Sequence, residues 1–112
     1  SYQDFLDVKE EFSNMAVDTW GGKGELALYG ATRAKEFDKE NSIHLLLKYL
    51  NVDPKDAIAF GDGMVDIPMF KACGFSVAMD NGNDEVKQAA SYVTDDVDQD
   101  GLYNAFKYLK LI

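Results

Sequence analysis

Phe5, Val8, Phe12 and Met15 recur at steps of three and four, so residues 2–15 read as an amphipathic helix. Two short β-like runs follow at 16–20 and 25–29, and Gly21-Gly22-Lys23-Gly24 between them predicts a hairpin turn. The first 35 residues therefore read as an α-β-β segment. From about residue 38 the texture changes to apolar runs alternating with helical patterns. Residues 42–50 place Ile43, Leu46, Leu47 and Leu50 on one helical stripe, which Asn51-Val52-Asp53-Pro54 terminates. Residues 57–60 are apolar without alternation, the pattern of a strand buried on both faces in a parallel sheet. A helix over 64–72, a strand over 75–79, a helix over 84–90 and a strand over 92–94 come next. A last helix over 101–109 turns Leu102, Ala105, Phe106 and Leu109 inward. Short links between strand and helix imply right-handed parallel crossovers, hence an α/β class with a division at 1–35 and 36–112.

Composition narrows the classes of function. The chain has 112 residues, and its 20 acidic against 11 basic residues leave a net charge of −9, a field that repels nucleic acid and anionic membranes. Small anionic substrates are not excluded, because local cations and backbone N–H groups recognise them. No apolar run approaches the roughly 18–20 residues of a membrane span. Cys73 is the only cysteine, so an intrachain disulfide is ruled out and a reducing, cytoplasmic compartment is the expectation.

Ligands of open parallel α/β sheets bind at the carboxyl ends of the strands. The run 57–60 stops at Gly61-Asp62-Gly63-Met64-Val65-Asp66, where Asp62 and Asp66 stand one helical turn apart. Two neighbouring carboxylates repel unless a cation balances them, and hard oxygens in this arrangement suit Mg²⁺. A turn-starting Asp62 and a helix-capping Asp66 would look the same by spacing. Lys39, at the head of the next upstream helix, opposes the macrodipole and so lacks a local stabilising reason. It could neutralise a phosphate, or be a solvated surface lysine. Asn81 follows the strand at 75–79, either as a ligand or loop contact or as part of an Asn-Gly turn. His44 is the single histidine, so a histidine triad is unavailable. Asp96, Asp98, Asp100 and Gly101 match the first half of an EF-hand loop, but Lys107 occupies the twelfth position, where a glutamate is required. That cluster reads as a solvated loop.

The ordered set Lys39, Gly61-Asp62, Asp66-Ile67-Pro68-Met69, Val77-Ala78-Met79-Asp80-Asn81, Tyr92-Val93-Thr94 and Asp100-Gly101 resembles the C-terminal part of a haloacid dehalogenase (HAD) superfamily phosphatase of the Cof-type subfamily. The resemblance implies half of a Rossmann-like core over 36–112, preceded by the end of an α/β cap over 1–35. It implies hydrolysis of small phosphorylated metabolites through an aspartyl-phosphate, with Lys39 binding the phosphoryl group, Asp62 holding Mg²⁺ and Asp66 supporting the metal site.

Two departures qualify it. Val65 stands where the family's loop carries asparagine, and the nucleophile motif Asp-x-Asp-Gly-Thr is absent from these residues. The expectation is a fragment, inactive alone, that pairs with a missing N-terminal half of the core or with a second copy of itself. The alternative is a non-catalytic α/β interaction module derived from such an enzyme. A receiver-like or nucleotide-binding domain would need an acidic pocket after the first core strand or a Gly-rich loop between strand and helix, and neither is present.

Overall fold

Residues 2–20 and 29–112 are described by a computed structural model. They form two units, 1–37 and 38–112. In the first, helix α1 (Tyr2–Glu11) leads into strand β1 (Met15–Trp20), which pairs antiparallel with β2 (Tyr29–Ala34) in the register Met15↔Ala34 to Trp20↔Tyr29. The sequence pattern ran the helix on to Met15. The chain instead turns after Glu11, and Met15 opens the strand. The expected glycine turn at 21–24, and most of the expected strand at 25–29, lie outside the described residues. The observed second strand continues to Ala34 through Gly30 and Ala31, which are poor strand formers. Backbone pairing along the whole of β1 overrides that weak propensity.

The second unit starts with α2 (Lys39–Leu50). Asp38 caps it, its Oδ1 accepting the Asn41 N–H at 2.7 Å, and Asn51 closes it in the left-handed region at φ 56°. The cap draws the helix start upstream of Ser42, so Lys39 becomes the first helical residue. A single-turn 3-10 helix at Pro54–Asp56 leads to β3 (Ile58–Gly61), and another at Met64–Asp66 runs into α3 (Ile67–Ala72). Then follow β4 (Phe75–Ala78), α4 (Asp84–Ala89), β5 (Tyr92–Val93), a 3-10 turn at Val97–Gln99 and α5 (Gly101–Tyr108). The three strands form one parallel sheet in the order β3-β4-β5, with Ile58 opposite Phe75 and Val77 opposite Tyr92. This is a mixed α/β architecture, a partial Rossmann-like core.

Ala59, Phe70, Ala78 and Val86 make the core cluster, with Ile67, Met69, Cys73 and Ala90 packed around it. The small Ala59 on β3 and Ala78 on β4 let α3 and α4 settle close to the sheet. Burial pushes the Cys73 thiol pKa up, consistent with a packed side chain and not a reactive one. Phe60 stacks on Phe106 at 4.9 Å and Tyr92 on Tyr108 at 4.3 Å, which ties α5 to both sheet edges. Ser76 and Ser91 exchange backbone N–H to hydroxyl bonds of 3.2 and 3.0 Å beside β4.

The helical stripes are only partly covered. Of the expected inward residues of α2, Leu47 is buried, whereas Leu46 and Leu50 remain exposed among the described residues. On α5, Ala105 is buried and Leu102 is exposed. Periodicity identifies an apolar face but not whether a neighbouring element lies over it.

Candidate active site at the carboxyl ends of the strands

β3 ends at Gly61, and the chain turns through Asp62 and Gly63 into the Met64–Asp66 turn and α3. The turn is built around Asp66, the one buried charged residue among those described. Its Oδ2 accepts the N–H groups of Asp62 at 3.2 Å and Gly63 at 3.1 Å, and its Oδ1 accepts from the Lys39 ammonium. Gly61 is required by this arrangement: a Cβ there would lie 2.6 Å from Asp66 Cβ and 2.7 Å from Oδ2. Burial pushes the Asp66 pKa up, but the Lys39 ammonium and the two N–H donors outweigh it and hold the carboxyl below the ordinary range.

Lys39 thus has a partner 27 positions away in sequence, while its side chain remains 49% exposed. Its position in the first turn of α2 opposes the helix dipole, and the Asp66 carboxylate supplies the compensating charge. The side chain as a whole is therefore not shut away from solvent.

Asp62 is exposed and differently engaged. Its Oδ2 accepts from Asn81 Nδ2 at 3.4 Å, and its Oδ1 accepts no hydrogen bond among the described residues. Asn81 belongs to the turn after β4, together with Gly82, where a Cβ would stand 2.9 Å from the Asp62 carbonyl oxygen. The turn is held to the sheet by the Met79 N–H, which donates to Gly61 O at 3.0 Å. Lys87 on α4 donates to the Asp80 carbonyl at 3.1 Å and pairs with its carboxylate at 3.3 Å.

The four sequence-derived candidates therefore fall into two contacting pairs, Lys39 with Asp66 and Asp62 with Asn81. The backbone joins the pairs, because the Asp62 N–H donates to Asp66. Sequence reasoning missed Lys87 and Val97, whose N–H donates to Asn81 Oδ1 at 3.1 Å. Gly82 was legible only as part of an Asn-Gly turn. Val97 takes part through its backbone N–H, for which no sequence signal exists.

Among the described residues no group of three or more His, Cys, Asp or Glu side chains is arranged to hold a metal ion. Both Asp66 oxygens are engaged, which leaves Asp62 as the available hard donor. A single free carboxylate fits Mg²⁺, which keeps water and substrate oxygens in much of its shell. No described helix is long and apolar enough to cross a membrane.

The family model of the haloacid dehalogenase-like hydrolases matches residues 8–106. An uncharacterized protein encoded in the pdhA 5′ region of Geobacillus stearothermophilus is 42% identical over 74 residues, 66% of this chain and 78% of that protein. A phosphoglycolate phosphatase of Methanosarcina acetivorans is 33% identical over 78 residues, covering 70% of this chain and 34% of that enzyme. Among solved structures, a phosphatase of the haloalkanoate enzyme superfamily from Bacteroides thetaiotaomicron superposes with a TM-score of 0.82 at 33% identity. That superposition covers 98% of this chain and 39% of the other, so the chain spans well under half the length of either phosphatase.

Proposed function

The chain belongs to the haloacid dehalogenase-like hydrolases, and on that premise we propose that it supplies part of the active site of a phosphatase acting on small phosphorylated metabolites. The observation that carries the reading is the Lys39–Asp66 pair set beside the accessible Asp62 carboxylate at the carboxyl end of β3.

Each residue has a role that follows from its surroundings. The Lys39 ammonium binds a phosphoryl oxygen and offsets the charge that builds up as phosphorus is attacked. Asp66 holds that ammonium in place and fixes the Asp62–Gly63 backbone. Asp62 is the residue that would hold Mg²⁺, which when bound polarises the phosphoryl oxygens and neutralises part of their charge. The nucleophile is a carboxylate from outside these 112 residues, since the Asp-x-Asp-Gly-Thr motif does not occur in them. Its oxygen bonds to phosphorus as the ester oxygen departs with a proton from a second acid, and water then hydrolyses the aspartyl-phosphate. On this reading residues 1–35 are the end of a cap, the chain alone does not turn over substrate, and the enzyme works in the cytoplasm.

The test is hydrolysis of p-nitrophenyl phosphate by the full-length protein with and without Mg²⁺. Asp62→Asn and Lys39→Ala should each lower kcat about 10²–10³-fold, the usual cost of removing one charge-stabilising contact. Wild-type rates in both variants would refute the roles assigned to them.

A second reading, a non-catalytic interaction module, is favoured by one observation. Val65 is half exposed on the Asp62 loop and places methyl groups where the related loop has an amide. No Mg²⁺-dependent turnover by the full-length protein, on any of a panel of sugar phosphates, phosphoglycolate and nucleotides, would make this the better account.

A further inference from the structure

Asn81 uses both ends of its amide. Nδ2 donates to Asp62 Oδ2 at 3.4 Å, and Oδ1 accepts the Val97 N–H at 3.1 Å. Val97 belongs to the acidic loop after β5, which has no place in the reaction described above. That loop is closely tied down. Asp96 Oδ1 accepts the Asp98 N–H at 2.8 Å, the Gly101 N–H donates to Asp96 O at 3.1 Å, and the buried Thr94 hydroxyl donates to Gly101 O at 2.7 Å. Asn104 Nδ2 on α5 donates to Asp95 Oδ2 at 2.9 Å.

We propose that Asn81 is a positioning residue, which couples the 94–101 loop to Asp62 and thereby sets the direction in which that carboxylate meets a divalent cation. The inference rests on the metal role given to Asp62 above. It also accounts for the acidic loop, where the Asp96 carboxylate caps the loop's own backbone and the turn aims one N–H at Asn81. A metal-ligating carboxylate held by an outer hydrogen bond loses less freedom on binding, and removing such partners commonly weakens metal affinity. Direct capture of phosphate by Asn81 is the competing role.

The test uses ¹⁵N-labelled protein titrated with Mg²⁺ alone and, separately, with inorganic phosphate. Asn81→Ala should speed exchange of the Val97 amide without metal and weaken Mg²⁺ binding about tenfold. Val97→Pro removes the N–H that Asn81 accepts while leaving Asn81 and Asp62 intact. The site tolerates proline, because Val97 opens a 3-10 turn and Asp96 before it has φ −60° and ψ 153°. It should weaken Mg²⁺ binding in the same direction, and in the full-length protein added Mg²⁺ should recover the activity. Unaltered Mg²⁺ affinity in Val97→Pro, or unaltered Val97 exchange in Asn81→Ala, overturns the proposal. So does a lowered melting temperature without any loss of Mg²⁺ affinity, or an effect confined to the phosphate titration. Asp62→Asn is the control: if it binds Mg²⁺ like the parent, the metal role of Asp62 is wrong and the inference falls with it.

Discussion

Asp66 decides the chemistry of the site although it is the acidic residue least able to touch a ligand. Its folded-state pKa lies below the ordinary carboxylate value, so the unfolded chain binds its proton more tightly than the folded one. The stability it contributes is therefore fully present above the unfolded carboxylate pKa, about 4. It is lost as pH falls through the lower folded value. Asp66→Asn should remove this acid limb and cost roughly 1–3 kcal/mol at neutral pH, as charged acceptor bonds to two N–H groups are exchanged for weaker ones. Urea melts of parent and variant over a pH series check both statements, and parallel acid limbs would refute the assignment. Val65 supplies the other test at this scale. Val65→Asn restores an amide on the exposed part of the loop and should raise kcat of the full-length protein several-fold, about 1 kcal/mol for a hydrogen bond regained. A rate no higher than the parent's would mean that the valine is not what limits turnover.

Among the elements, α3 links the core to the site. The Asp66 turn feeds directly into it, and Phe70 on its inner side is 5% exposed within the Ala59, Ala78 and Val86 cluster. Phe70→Ala should destabilise the second unit by about 3–5 kcal/mol, the range for a buried phenylalanine removed from a well-packed core. Chemical denaturation followed by circular dichroism measures it, and a loss below about 1 kcal/mol would show that the cluster does not hold the sheet and helices together. The pattern of strands and helices in this unit was legible where the chain carries a local signal: an unbroken apolar run for β3, a mostly apolar one for β4, and Asn51-Val52-Asp53-Pro54 at the end of α2. The misjudged boundaries have local causes. Asp38 captured three more residues for α2, and pairing with β1 carried β2 past Gly30.

For the molecule as a whole, the unfilled positions matter most. β3 is an edge of the parallel sheet, although its composition is that of an interior strand. Leu45, Leu46, Tyr49 and Leu50 of α2 lie exposed among the described residues. An uncovered edge of this kind is a template for pairing. The isolated chain should therefore self-associate, and more strongly at higher salt, because the net charge of −9 opposes association until it is screened. Sedimentation velocity at two ionic strengths decides this, and a monodisperse monomer in both would count against pairing through β3.

The sequence alone determined the α/β class, the second unit's order of elements and the family. Those properties are written in local periodicity, in turn residues and in an ordered run of short motifs. It also named Lys39, Asp62, Asp66 and Asn81, but each had a bland alternative that spacing did not exclude. Only the tertiary structure decided which of them meet. Lys39 and Asp66 are 27 residues apart and meet where α2 packs against α3, while Asp62 and Asn81 are 19 apart and are brought together by the β3–α3–β4 crossover. The structure also separated two carboxylates that the spacing had left equivalent. One is buried and engaged at both oxygens, while the other is exposed with an oxygen to offer. That distinction depends on which N–H groups a turn directs at which carboxylate, and side-chain spacing does not encode it.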